Sequence, residues 1–196
     1  PDAASLEDAN YSVKVMSGTE HMGSNYLKTH SFEEEYMFFG SNWAEYTPSN
    51  WAKESGKVLT ANTFNSTYES NVHFGTTKTQ NGKCFVALHN TPSLGETTQI
   101  SQTVSIDPSP TTYEIAIHLI KSSSSSYASP KLTVRVNDIV VSANHTIDNT
   151  HWEKKKIYFK TSGVSSIKLS IENSQLSSYS SISVSYTHLT LPTTPV

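Results

Sequence analysis

Tyr113-Glu114-Ile115-Ala116-Ile117-His118-Leu119 decides the fold. Tyr113, Ile115, Ile117 and Leu119 fall on one side of an extended chain, and Glu114, Ala116 and His118 on the other, the period of two of a strand with one buried face. The same alternation returns in Leu132-Thr133-Val134-Arg135-Val136, in Ile157-Tyr158-Phe159-Lys160 and in Ile167-Lys168-Leu169-Ser170-Ile171. Asn137-Asp138 separates the first of these from Ile139-Val140-Val141, and both residues tolerate the left-handed conformation that a two-residue hairpin demands. Further strands are expected at Tyr11–Met16, Val58–Phe64, Asn71–Phe74, Cys84–His89 and Thr98–Ile106. Turn-forming clusters divide them at Gln80-Asn81-Gly82, Pro92-Ser93-Leu94-Gly95, Asp107-Pro108-Ser109-Pro110 and Thr161-Ser162-Gly163. No segment reads as an amphipathic helix, and a parallel sheet would need helical crossovers. The pattern predicts an all-β protein, a β-sandwich of many short strands.

Composition agrees. The 196 residues suit one domain with ragged ends. Charged residues are 16%, the formal net charge is −3, and Ser and Thr together exceed a quarter of the chain. A chain so poor in cations is not expected to bind nucleic acid through its phosphates. No apolar run approaches the roughly 18 residues of a membrane span, so no membrane insertion is expected. Cys84 is the single cysteine, which excludes an internal disulfide and a cysteine zinc site. It sits in an alternating apolar stretch and reads as a small buried hydrophobe.

The chain opens at Pro1 with neither initiator Met nor signal sequence, which implies a segment removed or not captured. Val184-Ser185-Tyr186-Thr187-His188-Leu189-Thr190-Leu191-Pro192-Thr193 resembles a sequencing-library transposon adapter translated in frame. Residues 1–26 are accordingly expected to be a linker or the tail of a preceding domain. Residues 27–183 form the domain, truncated in its last strand, and 184–196 are read as adapter-derived.

The order of motifs resembles the galactose-binding-like jelly roll, specifically the carbohydrate-binding-module group that includes families four and nine. Thr29-His30-Ser31-Phe32-Glu33 stands for the opening Asn-x-Ser-Phe-Glu-like strand, and Pro48-Ser49-Asn50-Trp51 matches the Pro-x-x-Trp segment. Gly82 to Leu88 is similar to the Gly-plus-aromatic strand, and Gln99 to Ile106 followed by Tyr113 to the Gln-rich strand and its Tyr-initiated successor. Leu132–Val141 resembles the short-turned hairpin, and Trp152 the aromatic opening the penultimate pair. The resemblance spans residues 27–183 and implies a jelly-roll sandwich that binds sugars without cleaving them. It also implies a structural calcium, with Glu33 nominated as a ligand through hard oxygen donors, and core positions for Trp51 and Trp152.

Sugar recognition needs flat apolar faces for the C–H side of a pyranose, rimmed by groups that hydrogen-bond its hydroxyls. Phe38 to Tyr46, read as a loop, supplies both. Trp43 and Tyr46 are the stacking candidates, with Asn42 and Glu45 as polar partners. Tyr68, Tyr127 and Tyr179 lie in polar connections and are further candidates. The eight histidines show no metal-site spacing and are expected to be solvated, with His118 facing away from the core. Glu33-Glu34-Glu35 does not form a hydrolase pair, because neighbours on a strand point to opposite faces. No nucleophile elbow occurs among the serines. The sequons at Asn10, Asn65 and Asn144 fit exposed loops.

The expected function is a non-catalytic module that tethers a larger secreted or surface protein, through its attached domains, to a polysaccharide or glycan. The alternative is an adhesive or structural sandwich without a sugar site, serving as a spacer or a protein-interaction domain.

Overall fold

A computed structural model describes residues 25–32, 43–62, 84–122, 127–176 and 178–191; for Trp43, Ala44, Ala61, Asn62, Leu94 and Tyr186 it describes the backbone. The strands expected at 11–16 and 71–74 and the residues Glu33, Asn42 and Tyr68 lie outside this description. Eleven strands make up the described fold: β1 (Trp43–Glu45), β2 (Ala52–Ser55), β3 (Lys57–Asn62), β4 (Cys84–Asn90), β5 (Thr98–Ser105), β6 (Thr111–Lys121), β7 (Lys131–Val136), β8 (Ile139–Thr146), β9 (Glu153–Thr161), β10 (Ser166–Asn173) and β11 (Ser180–Thr190). The helical content of the described residues is one 3-10 turn, Pro92–Leu94. Two antiparallel sheets, ordered β1-β3-β4-β11-β6-β9 and β2-β5-β10-β7-β8, face each other as the sandwich that the alternation implied and the jelly roll that the resemblance implied.

Each central strand sends its apolar parity inward. Val86 and Leu88, Ile182 and Val184, Ile115, Ile117 and Leu119 from one sheet meet Ile100, Leu132, Val134, Leu169 and Ile171 from the other. Tyr113 stacks on Phe159 at 5.6 Å, and Trp51 packs against Phe32 at 5.9 Å with 7% of its surface exposed, so the core position expected for Trp51 is observed. Asn137 and Asp138 take φ of 49° and 65°, as the hairpin required. Cys84 is buried.

Three elements depart from the sequence reading. Residues 43–45, expected within a loop, pair with β3 as strand β1, Trp43 opposite Ala61 and Glu45 opposite Leu59. Asn144, expected in an exposed loop, lies within β8, exposed, at φ 48° where the pairing with β7 is irregular. His89, expected to be solvated, is 1% exposed.

The stretch from Val184 onward carries β11 to Thr190, pairing with β6 after a bulge between Val184 and Tyr186. Its own alternation suffices for that pairing, which is therefore silent on its origin. Beyond Val184 this strand no longer pairs with β4. The strap 25–32 lies there instead: Asn25 accepts from Leu189 N (3.0 Å) and donates to Thr187 O (3.1 Å). Gln102 of β5 pairs with both backbone groups of Lys28 (2.7 and 3.0 Å), so the strap joins the two sheets.

Two buried amides fix one end of the sandwich. Asn90 donates to Asn173 O (2.8 Å) and Gln175 O (2.6 Å), and Asn173 donates to Leu88 O (3.0 Å) and Ser180 Oγ (3.1 Å). At the sandwich edge, Lys155 of β9 donates to the imidazole of His145 on β8, Nζ to Nε2 2.9 Å. Burial first, and then the Lys155 charge, hold His145 below the ordinary histidine range, against the pull of Glu153.

Asn173→Ala strips partners from buried groups at two strands, and should cost about 2–3 kcal/mol of unfolding free energy. It should also speed amide exchange at Ala128, whose N–H donates to Tyr179 O (2.8 Å). His145 takes up its proton more readily unfolded than folded, so its contribution is present above the unfolded value near 6.5 and is lost as pH falls. The melting temperature of the wild-type chain should therefore fall as pH drops below that value, and His145→Gln should flatten the dependence.

Candidate functional site

Strand β4 is buried along its whole length, Cys84 to Asn90. Its inward residues fill the space between the sheets, whereas Phe85, Ala87 and His89 project from the opposite face. There Phe85 and Ala87 cluster with Leu59 of β3 and with Trp152. Trp152 was expected in the core. It is instead half-buried on this outer face, edge-on to Phe85 with ring centroids 6.3 Å apart.

That contact spans three strands of the sheet. Phe85 sits on β4 and Trp152 at the start of β9, three strands away. Three ladder spacings in a flat sheet are roughly 14 Å. The two long side chains reach toward each other across β11 and β6, where Ser183 and Ile120 lie between them. Ser183 of β11 pairs with Ala87 on one flank and with Ile120 on the other.

One pair along, Ser181 lies opposite His89. Tyr127 packs on His89 (5.5 Å), and Tyr179 stacks on Tyr127 at 6.1 Å with an interplanar angle of 15°. Tyr179 is 47% exposed, and Leu176 beside it in sequence 51%. The buried amides Asn90 and Asn173 hold this connection, and the Ala128–Tyr179 backbone bond aligns the two tyrosines. Burial and the neighbouring Tyr179 push the Tyr127 phenol above its ordinary range, so its hydroxyl stays protonated at neutral pH.

The outer face of the six-stranded sheet thus carries rings at both ends, Trp152 and Phe85 at one and Tyr127 and Tyr179 at the other. Between them lie Ala87, Ser181, Ser183 and Ile120, all buried. The hydroxyls of Ser181 and Ser183 are fully buried and have no hydrogen-bond partner among the described residues, a state that costs on the order of 1–3 kcal/mol each. On the far flank Glu114 accepts from Tyr158 Oη (2.7 Å) and pairs with Lys156 (3.1 Å).

Of the residues named from sequence, Tyr127 and Tyr179 come together here. Glu45 lies at the rim of the same face, opposite Leu59, and pairs with Lys53 at 3.8 Å. Tyr46 follows it, half-buried, its N–H donating to Val58 O (3.2 Å) and its carbonyl accepting from Thr60 Oγ1 (3.0 Å). Sequence reasoning missed Trp152 as a surface ring. Its placement follows from register: Trp152 immediately precedes Glu153, which pairs with the inward Leu119. Among the described residues no three His, Cys, Asp or Glu side chains converge as metal ligands, and no helix is long and apolar enough to cross a membrane.

No protein-family model matches the chain, and no curated protein matches its sequence. Solved structures do resemble it. The carbohydrate-binding module TmCBM61, in complex with β-1,4-galactotriose, superposes with a TM-score of 0.54 at 16% identity, over 86% of this chain and 99% of that one. The CBM22-1 xylan-binding domain of Paenibacillus barcinonensis Xyn10C gives 0.50 at 17% identity, over 85% and 94%. The enzymatically active domain of the bacteriophage CBA120 tailspike protein 4 gives 0.50 at 13% identity, over 85% of this chain but 21% of that one. At such identities the likeness is one of fold, and the fold is the β-sandwich of these modules.

Proposed function

We propose that this chain is a non-catalytic carbohydrate-binding module, of the type that includes families four and nine, and that the ring-bearing outer face of the six-stranded sheet is its sugar site. The observation that carries the reading is the set of rings at the two ends of this face, Trp152 over Phe85 at one and Tyr127 stacked with the exposed Tyr179 at the other. Flat rings offer the C–H face of a pyranose a large contact at low entropic cost. The similarity to modules described with galactotriose and with xylan supports it. In this reading the module serves an extracellular or surface protein, raising the local concentration of its attached domains at a polymer. Residues 184–196 are taken as adapter-derived, and the native last strand as continuing differently. A structural calcium near Glu33 belongs to the same proposal; the turn 29–32 leading into it is anchored by Thr187 N donating to His30 O (2.9 Å).

Affinity electrophoresis of the chain against a panel of polysaccharides that includes β-1,4-galactan and xylan tests the site. Retardation by at least one polymer is expected, with a loss of roughly tenfold in affinity for Trp152→Ala combined with Tyr179→Ala. Tyr179→Ala alone, at an exposed position, should weaken binding while leaving the melting temperature unchanged. Trp43→Ala with Tyr46→Ala probes the β1 rim instead. Absence of binding to every polymer, or binding indifferent to Trp152 and Tyr179, sinks the proposal. For the ion, millimolar calcium should raise the melting temperature by roughly 5 °C and a chelator should reverse the gain; identical melts remove the calcium.

A further inference from the structure

The outermost strands of the two sheets are guarded unequally. β1 carries Glu45, β2 carries Lys53 and Glu54, and β9 carries Glu153 with Lys154, Lys155, Lys156 and Lys160. Charged side chains on an edge strand discourage a second copy from adding to the ladder. β8 ends the five-stranded sheet, and its sequence IVVSANHT holds no Lys, Arg, Asp or Glu. Ile139 and Val140 are exposed along it. His145 adds no charge at neutral pH, since burial and Lys155 hold its imidazole below the ordinary range.

The same strand carries Asn144-His145-Thr146, the acceptor sequence for N-linked glycosylation and the one of the three sequons that lies within the described residues. Asn144 and Thr146 are both exposed. Asn144 takes φ 48° where the register with β7 slips, and an irregularity of this kind re-aims a side chain out of the ladder. Two hydrogen bonds then orient it: its backbone N–H donates to Thr133 Oγ1 (3.1 Å), and its Oδ1 accepts from Ser174 Oγ (3.0 Å). With Oδ1 held by Ser174, the carboxamide nitrogen Nδ2 has no partner among the described residues.

We infer that Asn144 is an N-glycan attachment site and that its glycan covers the edge of β8, serving there as charge serves on the other three edge strands. The donor is an oligosaccharide carried on a lipid diphosphate. A bond forms between Nδ2 and the anomeric carbon of that sugar, while the bond from this carbon to the diphosphate oxygen breaks. The lipid diphosphate leaves with the electron pair, and Nδ2 gives up one proton. Val140 is four residues from Asn144, roughly 13 Å along an extended strand, within the span of a branched oligosaccharide. β8 belongs to the sheet that does not carry the rings, so polysaccharide binding neither supports nor sinks this site.

Secretion of the full chain from a yeast that attaches N-glycans tests it. Tryptic mapping isolates residues 136–154, a stretch with one sequon. This peptide should carry a glycan that Thr146→Ala abolishes and Thr146→Ser retains. Trimming the folded glycoprotein with an endoglycosidase, or the Asn144→Gln substitution, should turn a monomer into a concentration-dependent oligomer in sedimentation, and adding Val140→Lys should restore the monomer. A bare 136–154 peptide in the secreted chain overturns the attachment. A glycosylated peptide whose trimming leaves the chain monomeric at every concentration, or an oligomer indifferent to Val140→Lys, overturns the covering of the edge.

Discussion

The outer face of the six-stranded sheet depends on a single constraint: β4 has to bury both of its faces. Val86 and Leu88 are committed to the space between the sheets, so Phe85 and Ala87 must find cover on the outside. Trp152 provides it from three strands away, across Ser183 of β11 and Ile120 of β6. A bulkier residue at Ser183 would wedge Phe85 and Trp152 apart and expose apolar surface worth roughly 25 cal/mol per Å². The abundance of serine in the chain thus has a positional meaning on β11. Ser181 and Ser183 keep the floor low enough for the rings to close over it.

Polar economy at the other end of the floor follows different rules. Asn90 and Asn173 are buried and donate to backbone carbonyls and a hydroxyl. Such bonds define one conformation for the connection 174–179, because a shift of the loop would leave buried carbonyls without donors. Tyr179 is thereby presented at a fixed angle to Tyr127 although it is nearly half exposed. A platform held this way spends little conformational entropy on binding.

Most of the sandwich was legible from the alternation of side chains. Tyr113–Leu119, Leu132–Val136 and Ile167–Ile171 each became strands with the parity that their sequences imply. Asn137-Asp138 turned as its backbone tolerance dictates. What could not be read was anything set by partners distant in sequence. Residues 43–45 carry no period of two long enough to register, and are a strand because β3 offers an edge. His89 looks like a polar interruption of an apolar run. It is buried because Tyr127, nearly forty residues on, lies over it. Trp152 has the composition of a core residue, and only its register against β6 assigns it to the outer face. The candidate site was half visible for the same reason: the aromatic types were evident, but which rings share a surface is a property of the strand order.

The sandwich edge shows how a charged group can serve the fold from an inward position. Lys155 points toward β8 from a strand whose alternate lysines point away. Burial pulls its ammonium below the ordinary lysine range while Glu153 pulls it back. A neutral His145 satisfies the ammonium as an acceptor, which an alkyl side chain could not. The cation therefore stays in place between the edge strands of the two sheets instead of turning out to water. An inward-pointing charge of this kind is also hard for a second copy of the strand to cover, since pairing against β9 would desolvate it further. The same lysine-rich segment thus divides by parity: its inward residue closes the edge of the sandwich, and its outward residues, Lys154 and Lys156, lie beside His118 and Ala116 of β6.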